Sequence, residues 1–123
     1  KVDDVVIKTA QIDNPHDDHP LLTSSPSLNR YKKSSKTGEW NLRNPMKNKC
    51  WRMWSGCVIT WDGMIVPCCF DKDATHRLGN LKEQKFAQLW KGEGYQQFRR
   101  SLLKSRSEID ICKNCTEGTK VWA

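Results

Sequence analysis

Residues 57–69 read CVITWDGMIVPCC, and this stretch decides the fold. Two short runs rich in β-branched and apolar residues, 58–61 and 64–66, are joined by Asp62-Gly63. Asp-Gly between such runs is a strong hairpin signal, because a type I′ turn needs positive φ at both central positions. Pro67 cannot donate to a strand ladder and so ends the second strand. Neighbouring side chains on an extended chain face opposite ways, so Cys68 and Cys69 are expected to do different work.

Downstream of the hairpin the pattern turns helical. Asn80 reads as an N-cap with Glu83 three residues later, ahead of an apolar stripe of Leu81, Phe86, Leu89 and Trp90. Gly92 and Gly94 punctuate it, and a second helix follows with Tyr95, Phe98, Leu102 and Leu103 on one face. These aromatics are read as core rather than as ligand-stacking groups. The chain closes with CKNC, residues 112–115, and a short tail. Upstream, residues 5–10 (VVIKTA) suggest a strand. Residues 13–39 hold three prolines, many Ser and Asp, and almost no apolar periodicity, which indicates an extended linker. His16 and His19 within it are spaced like a metal pair, but a solvated loop is the preferred reading. The compact part is expected over residues 40–123, giving an α+β fold: a β-hairpin followed by two short helices, preceded by an extended segment.

The whole chain sets limits on this core. Its 123 residues allow one modest domain, and a 37 % hydrophobic, 28 % charged composition predicts a small core that a metal or covalent staple would support. The net charge is +7, with 21 Lys and Arg against 14 acidic residues. The cations are dispersed (Lys32, Lys33, Lys36, Lys47, Lys49, Arg99, Arg100, Lys104, Arg106) without an aromatic ladder, so a solvated surface is preferred over a nucleic-acid face. No apolar run is long enough to span a membrane and no signal-peptide pattern is present, so a cytoplasmic protein is expected. The first residue is Lys and the chain starts abruptly in a strand-like run, which suggests a C-terminal piece of a longer polypeptide.

Six cysteines remain to be explained: Cys50, Cys57, Cys68, Cys69, Cys112 and Cys115. Disulfides, a zinc site and an iron–sulfur cluster compete. Nothing points to secretion, and Cys-x-x-Cys more often holds a metal, so disulfides rank last. Cys112 and Cys115 can aim two thiolates at one point, with Lys113 adding positive charge between them. The hairpin brings its two ends together, so Cys50 or Cys57 can meet Cys68 despite gaps of C-x₁₇-C and C-x₁₀-C. A structural zinc built from two close pairs expects C-x₂₋₄-C twice, and only one pair obeys that spacing. Four thiolates without His suit either zinc or a [4Fe–4S] cube, and the spacing leans toward the cube.

Several landmarks between Cys50 and Cys115 fall in a recognisable order: Cys50, Trp54, Asp62-Gly63, Pro67-Cys68-Cys69, Leu78-Gly79-Asn80-Leu81, Leu89-Trp90, Tyr95, Phe98-Arg99 and the closing Cys112/Cys115. This order resembles the SPASM/twitch domain at the C-terminus of radical S-adenosylmethionine enzymes, whose opening signature C-x₉₋₁₅-G-x₄-C fits Cys50, Gly63 and Cys68. The resemblance implies that residues 1–12 are a remnant of the last strand of a partial (β/α)₆ barrel. That barrel of the same full-length chain would be the domain's partner. It would bind S-adenosylmethionine and the catalytic cluster through a C-x₃-C-x₂-C motif that is absent from these 123 residues. No activity is expected from this stretch alone, and the parent is expected to be a radical oxidoreductase or maturase. The long SPASM pattern continues with further cysteines for two auxiliary clusters, whereas only eight residues without cysteine follow Cys115. The resemblance therefore implies one [4Fe–4S] cluster on Cys50, Cys68, Cys112 and Cys115. Cys57 is the rival for Cys50, and Cys69 is a bystander expected to be a small buried thiol. The domain would support electron transfer or substrate positioning during modification of a peptide, protein or small molecule. The alternative is a zinc-stabilised interaction module with some capacity for nucleic acid, and protein purified in air can carry zinc or nothing.

Overall fold

The computed structural model describes residues 2–5, 9–12, 14–44 and 46–118. The chain divides into two compact units, Lys1–Pro45 and Met46–Ala123. Part of the strand expected at residues 5–10, and the end of the tail, lie outside the described residues.

In the first unit, β1 (Tyr31–Lys33) pairs antiparallel with β2 (Trp40–Leu42), so part of the segment read as a linker is a small hairpin. It is anchored by Tyr31, whose buried hydroxyl accepts the Ile12 N–H at 2.8 Å and donates to the Ile12 carbonyl at 3.0 Å. Arg30 reaches Thr9 Oγ1 and Gln11 Oε1 at 3.1 and 3.0 Å. Asp17 takes the Trp40 Nε1–H at 2.8 Å and pairs with Lys33, and these two contacts hold its carboxyl below the usual range. His19 Nδ1 accepts the Leu21 N–H at 3.2 Å, so it serves the local loop.

The second unit has a one-turn helix α1 (Arg52–Ser55) and a three-stranded sheet, β3 (Val58–Ile59), β4 (Met64–Val66) and β5 (Gly79–Asn80). Two consecutive helices follow, α2 (Phe86–Lys91) and α3 (Glu93–Ser105), and a single 3-10 turn at Arg106–Glu108. The sheet is antiparallel with order β3-β4-β5, Val58 opposite Val66 and Ile65 opposite Gly79. This is the expected α+β hairpin-and-helices fold with one strand added.

The hairpin is present, but its turn is not type I′. Gly63 is the turn's one residue with positive φ (88°), and its N–H bonds Thr60 O at 3.0 Å. Thr60 N–H then closes on Met64 O at 2.9 Å, leaving a three-residue loop with a left-handed glycine at its end. The Thr60 hydroxyl favours this longer loop, since it accepts the Met64 N–H at 3.1 Å and bonds Asp62. Trp61 at the tip is 97 % exposed.

Asn80 does not cap a helix. It belongs to β5, and its Oδ1 and carbonyl accept the N–H groups of Lys82, Glu83 and Gln84 in a turn. Helix α2 starts at Phe86, where Gln88 Oε1 reaches back to the Lys85 N–H at 3.1 Å. Gly79 sets how closely α2 meets the sheet: a Cβ there would stand 2.2 Å from Leu89 Cδ2.

Helix α3 buries Tyr95, Phe98, Arg99 and Leu102, an i, i+3, i+4, i+7 stripe. Arg99 thus takes a place expected for an apolar residue, while Leu103 is 52 % exposed instead of buried. Leu103→Ser is accordingly expected to change stability by less than about 0.5 kcal/mol in urea unfolding. Ile65, Leu89 and Tyr95 form one core cluster, and Cys50, Met53, Phe98, Leu102, Ile109 and Cys112 form another. No helix among the described residues is long and apolar enough to cross a membrane.

Candidate metal centre

Three elements deliver cysteines to the second core cluster. Cys50 immediately precedes α1, Cys68 leaves β4 after the buried Pro67, and Cys112 and Cys115 lie on the turns after α3. Cys50, Cys112 and Cys115 are 7 %, 9 % and 5 % exposed, and Cys68 is half-buried against the same cluster. Burial pushes the Cys112 thiol up to about 12; Arg106 opposes this, while Cys115, Cys68 and Cys50 push it further up. Burial likewise raises Cys68 to about 11, against the Phe70 amide, with Cys69 and Cys115 adding to the rise. Cys50 and Cys112 share one buried cluster, and Cys68 packs against it. Thiols held this high stay protonated in neutral solution unless a positive centre compensates them.

The surrounding backbone supports sulfur. Ile109 O accepts both the Cys112 and the Lys113 N–H (2.9 and 2.8 Å), and Cys115 N–H returns to Cys112 O at 3.0 Å. Glu117 N–H donates to Cys115 Sγ at 3.3 Å. Gly118 has φ 69° and lies against Cys50, where an added Cβ would come within 2.3 Å of Sγ. Trp51 N–H bonds Gly118 O at 2.9 Å, which pins the Cys50 turn to the segment after Cys115.

The loop from Cys68 to β5 is built on Asp71. Its buried carboxylate accepts from Thr75 N, Thr75 Oγ1 and His76 N at 2.8, 2.7 and 2.9 Å. His76 Nε2 in turn lies 2.6 Å from Asp110 Oδ1, tying this loop to the one carrying Cys112. That contact is the chief cause holding the Asp110 carboxyl low.

Cys69 departs from expectation in two ways. It is exposed rather than buried, and its thiol contacts that of Cys68 rather than facing away. Past Pro67 the chain is no longer extended: Asp71 N–H bonds Cys68 O at 3.0 Å, so Cys69 occupies the corner of a turn. Strand alternation does not apply there. Cys57 packs on the Ile65–Leu89–Tyr95 cluster. Burial and the adjacent Cys57 raise the Tyr95 phenol, and Arg99 pulls it back. Cys57 also borders Cys68 and Cys69 around a surface cavity of about 160 Å³ that includes Arg52. All six thiols are free.

Lys113, expected to lend its charge to the closing cysteine pair, is exposed, whereas Arg106 is a buried cation whose charge acts to lower the Cys112 thiol. Arg106 and Arg99, both read from the sequence as solvated, are 1 % and 7 % exposed. Arg99 donates to Met53 O (2.9 Å) and Trp90 O (3.1 Å), with its guanidinium 4.5 Å from the Trp90 ring centroid and 4.8 Å from that of Tyr95. No sequence spacing singled out Arg106, which sits between two serines. Among the described residues, no three His, Cys, Asp or Glu side chains form a set that could hold a single metal ion.

Residues 50–116 match the SPASM family, described as an iron–sulfur cluster-binding domain. Over 59 residues the chain is 34 % identical to an S-adenosyl-L-methionine-dependent 2-deoxy-scyllo-inosamine dehydrogenase of Niallia circulans, covering 47 % of this chain and 24 % of that one. The crystal structure of selenomethionine BtrN in an open conformation is similar with a TM-score of 0.51 and 30 % identity, over 56 % of this chain and 33 % of BtrN. The chain thus spans about a quarter of the curated relative's length. With its landmarks, its fold and its sequence match in agreement, the chain belongs to the SPASM family of iron–sulfur cluster-binding domains.

Proposed function

We propose that Cys50, Cys68, Cys112 and Cys115 hold one [4Fe–4S] cluster, and that the chain is the auxiliary domain of a radical S-adenosylmethionine enzyme whose barrel would be its partner. The observation that carries the ligand set is that Cys50 and Cys112 lie in one buried cluster with Cys68 packed against it, while the buried Cys115 Sγ takes the Glu117 N–H. Cys57 packs on the other core cluster, beside Tyr95, whereas Cys50 shares a cluster with Cys112, which favours Cys50. The family's description as an iron–sulfur cluster-binding domain favours a cluster over a single zinc, and in a four-iron cube each thiolate binds a different iron.

When bound, such a cluster supplies a one-electron acceptor or relay near the substrate. Four cysteine ligands would leave no iron open, so the chain's own part is to fix the sulfurs, exclude water from three of them and present the domain to the barrel. The dehydrogenase name of the relative supports an oxidation as the parent reaction, on a small molecule, peptide or protein. Residues 1–12 would be the end of the barrel and residues 13–39 its connection.

Anaerobic reconstitution followed by iron, sulfide and zinc analysis tests this reading. About four irons per chain with a broad absorption near 400 nm are expected. A colourless protein with one zinc per chain and salt-dependent nucleic-acid binding would establish the interaction module instead. Gly118→Ala should lower the iron content severalfold, because the new Cβ would occupy the place of Cys50 Sγ and the φ of 69° disfavours it. Wild-type iron in that variant would remove Cys50 from the ligand set.

A further inference from the structure

Arg106 is a basic side chain buried among the cysteine loops. Nη1 donates to Lys49 O and Nη2 to Glu117 O, both at 2.8 Å. The first carbonyl adjoins Cys50 and the second lies two residues beyond Cys115. Its backbone N–H bonds Asn48 Oδ1 at 3.0 Å, and Asn48 Nδ2 donates to Lys104 O at 2.9 Å, so the side of the loop that leads into Cys50 is held as well. The remaining Nε–H is buried and has no hydrogen-bond partner among the described residues. An unpaired buried N–H of a charged group is costly, and native structures keep few without a use.

We propose that Arg106 is a positioning residue for the cysteine site, clipping the Cys50 turn to the segment after Cys115 and keeping its Nε–H for a sulfur of the bound cluster. The inference rests on the ligand reading above. The geometry carries the assignment: the two carbonyls that Arg106 bridges flank Cys50 and Cys115, and its Nε–H is buried without a partner among the described residues. A planar fork satisfies two carbonyls at fixed spacing while leaving a third donor free, and lysine cannot reproduce that geometry. Reduction adds negative charge to a cluster, so a nearby cation and an N–H donor to sulfur stabilise the reduced form and raise the potential.

The test uses anaerobically reconstituted Arg106→Lys and Arg106→Gln proteins, read by iron content and by potentiometric titration followed by electron paramagnetic resonance. Both are expected to bind less iron, and the clusters that form should titrate at a more negative potential, further so for Gln. Full iron at the wild-type potential in both would overturn the proposal. Should the variants not fold, ¹⁵N-arginine labelling of wild type decides: pulsed resonance on the reduced cluster should show a ¹⁵N coupling that Arg52→Lys retains. Its absence would overturn the proposal. A cluster that persists in Cys112→Ala would remove the ligand reading and this inference with it, a failure separate from an unchanged potential in the Arg106 variants.

Discussion

Cys112→Ala is expected to yield a protein that folds but stays nearly colourless after anaerobic reconstitution, with iron reduced at least tenfold. Cys112 is buried with Cys50 in the cluster against which Cys68 packs, so its loss removes a central member of the proposed set. Cys68→Ala and Cys115→Ala should behave alike. Cys69→Ala should keep wild-type iron, because Cys69 is exposed at a turn corner and lies outside the buried cluster that holds Cys50 and Cys112. Cys57→Ala should keep iron too, at a modest cost in packing against Tyr95. Iron and sulfide assays on the series, with circular dichroism to confirm folding, check all five. A full cluster in Cys68→Ala would sink the assignment.

Arg99→Ala carries the largest expected effect on stability, a loss of about 3 kcal/mol in urea unfolding of the metal-free protein. The guanidinium satisfies Met53 O and Trp90 O inside the fold, and its removal leaves both carbonyls without their donor. It also withdraws a cation from two aromatic faces and opens space between α1 and α3. Arg99→Lys should recover only part of this, since an ammonium does not match the fork or the stacked plane. A loss below about 1 kcal/mol for Arg99→Ala would mean that water replaces the side chain and that the burial has little energetic weight.

Much of the fold can be read from a few residues. Asp62-Gly63 between apolar runs marks the hairpin, Pro67 marks its end, and the Tyr95–Phe98–Leu102 spacing marks the long helix. Other features depend on contacts that no local pattern announces. The turn lengthens because the Thr60 hydroxyl serves Met64, a side-chain choice that Asp-Gly does not reveal. Asn80 has capping chemistry, yet the pairing of β5 with β4 draws it into the sheet and delays the helix to Phe86. Arg99 and Arg106 look like ordinary surface cations until distant carbonyls, 46 and 57 residues away in sequence, are brought to them. The approach of Cys68 to the cluster holding Cys112 follows from the hairpin and the closing cysteine pair, whereas spacing alone left Cys50 and Cys57 open and only the family resemblance chose between them. The exposure of Cys69 was not legible, because alternation fails once the chain turns.

Mössbauer spectroscopy of the ⁵⁷Fe-reconstituted protein tests the proposed centre at its source. The four thiols of Cys50, Cys68, Cys112 and Cys115 predict that the iron appears as one diamagnetic [4Fe–4S]²⁺ species, and that this species disappears in Cys112→Ala. Iron found as mononuclear or [2Fe–2S] sites, or a cube that survives in Cys112→Ala, would contradict it.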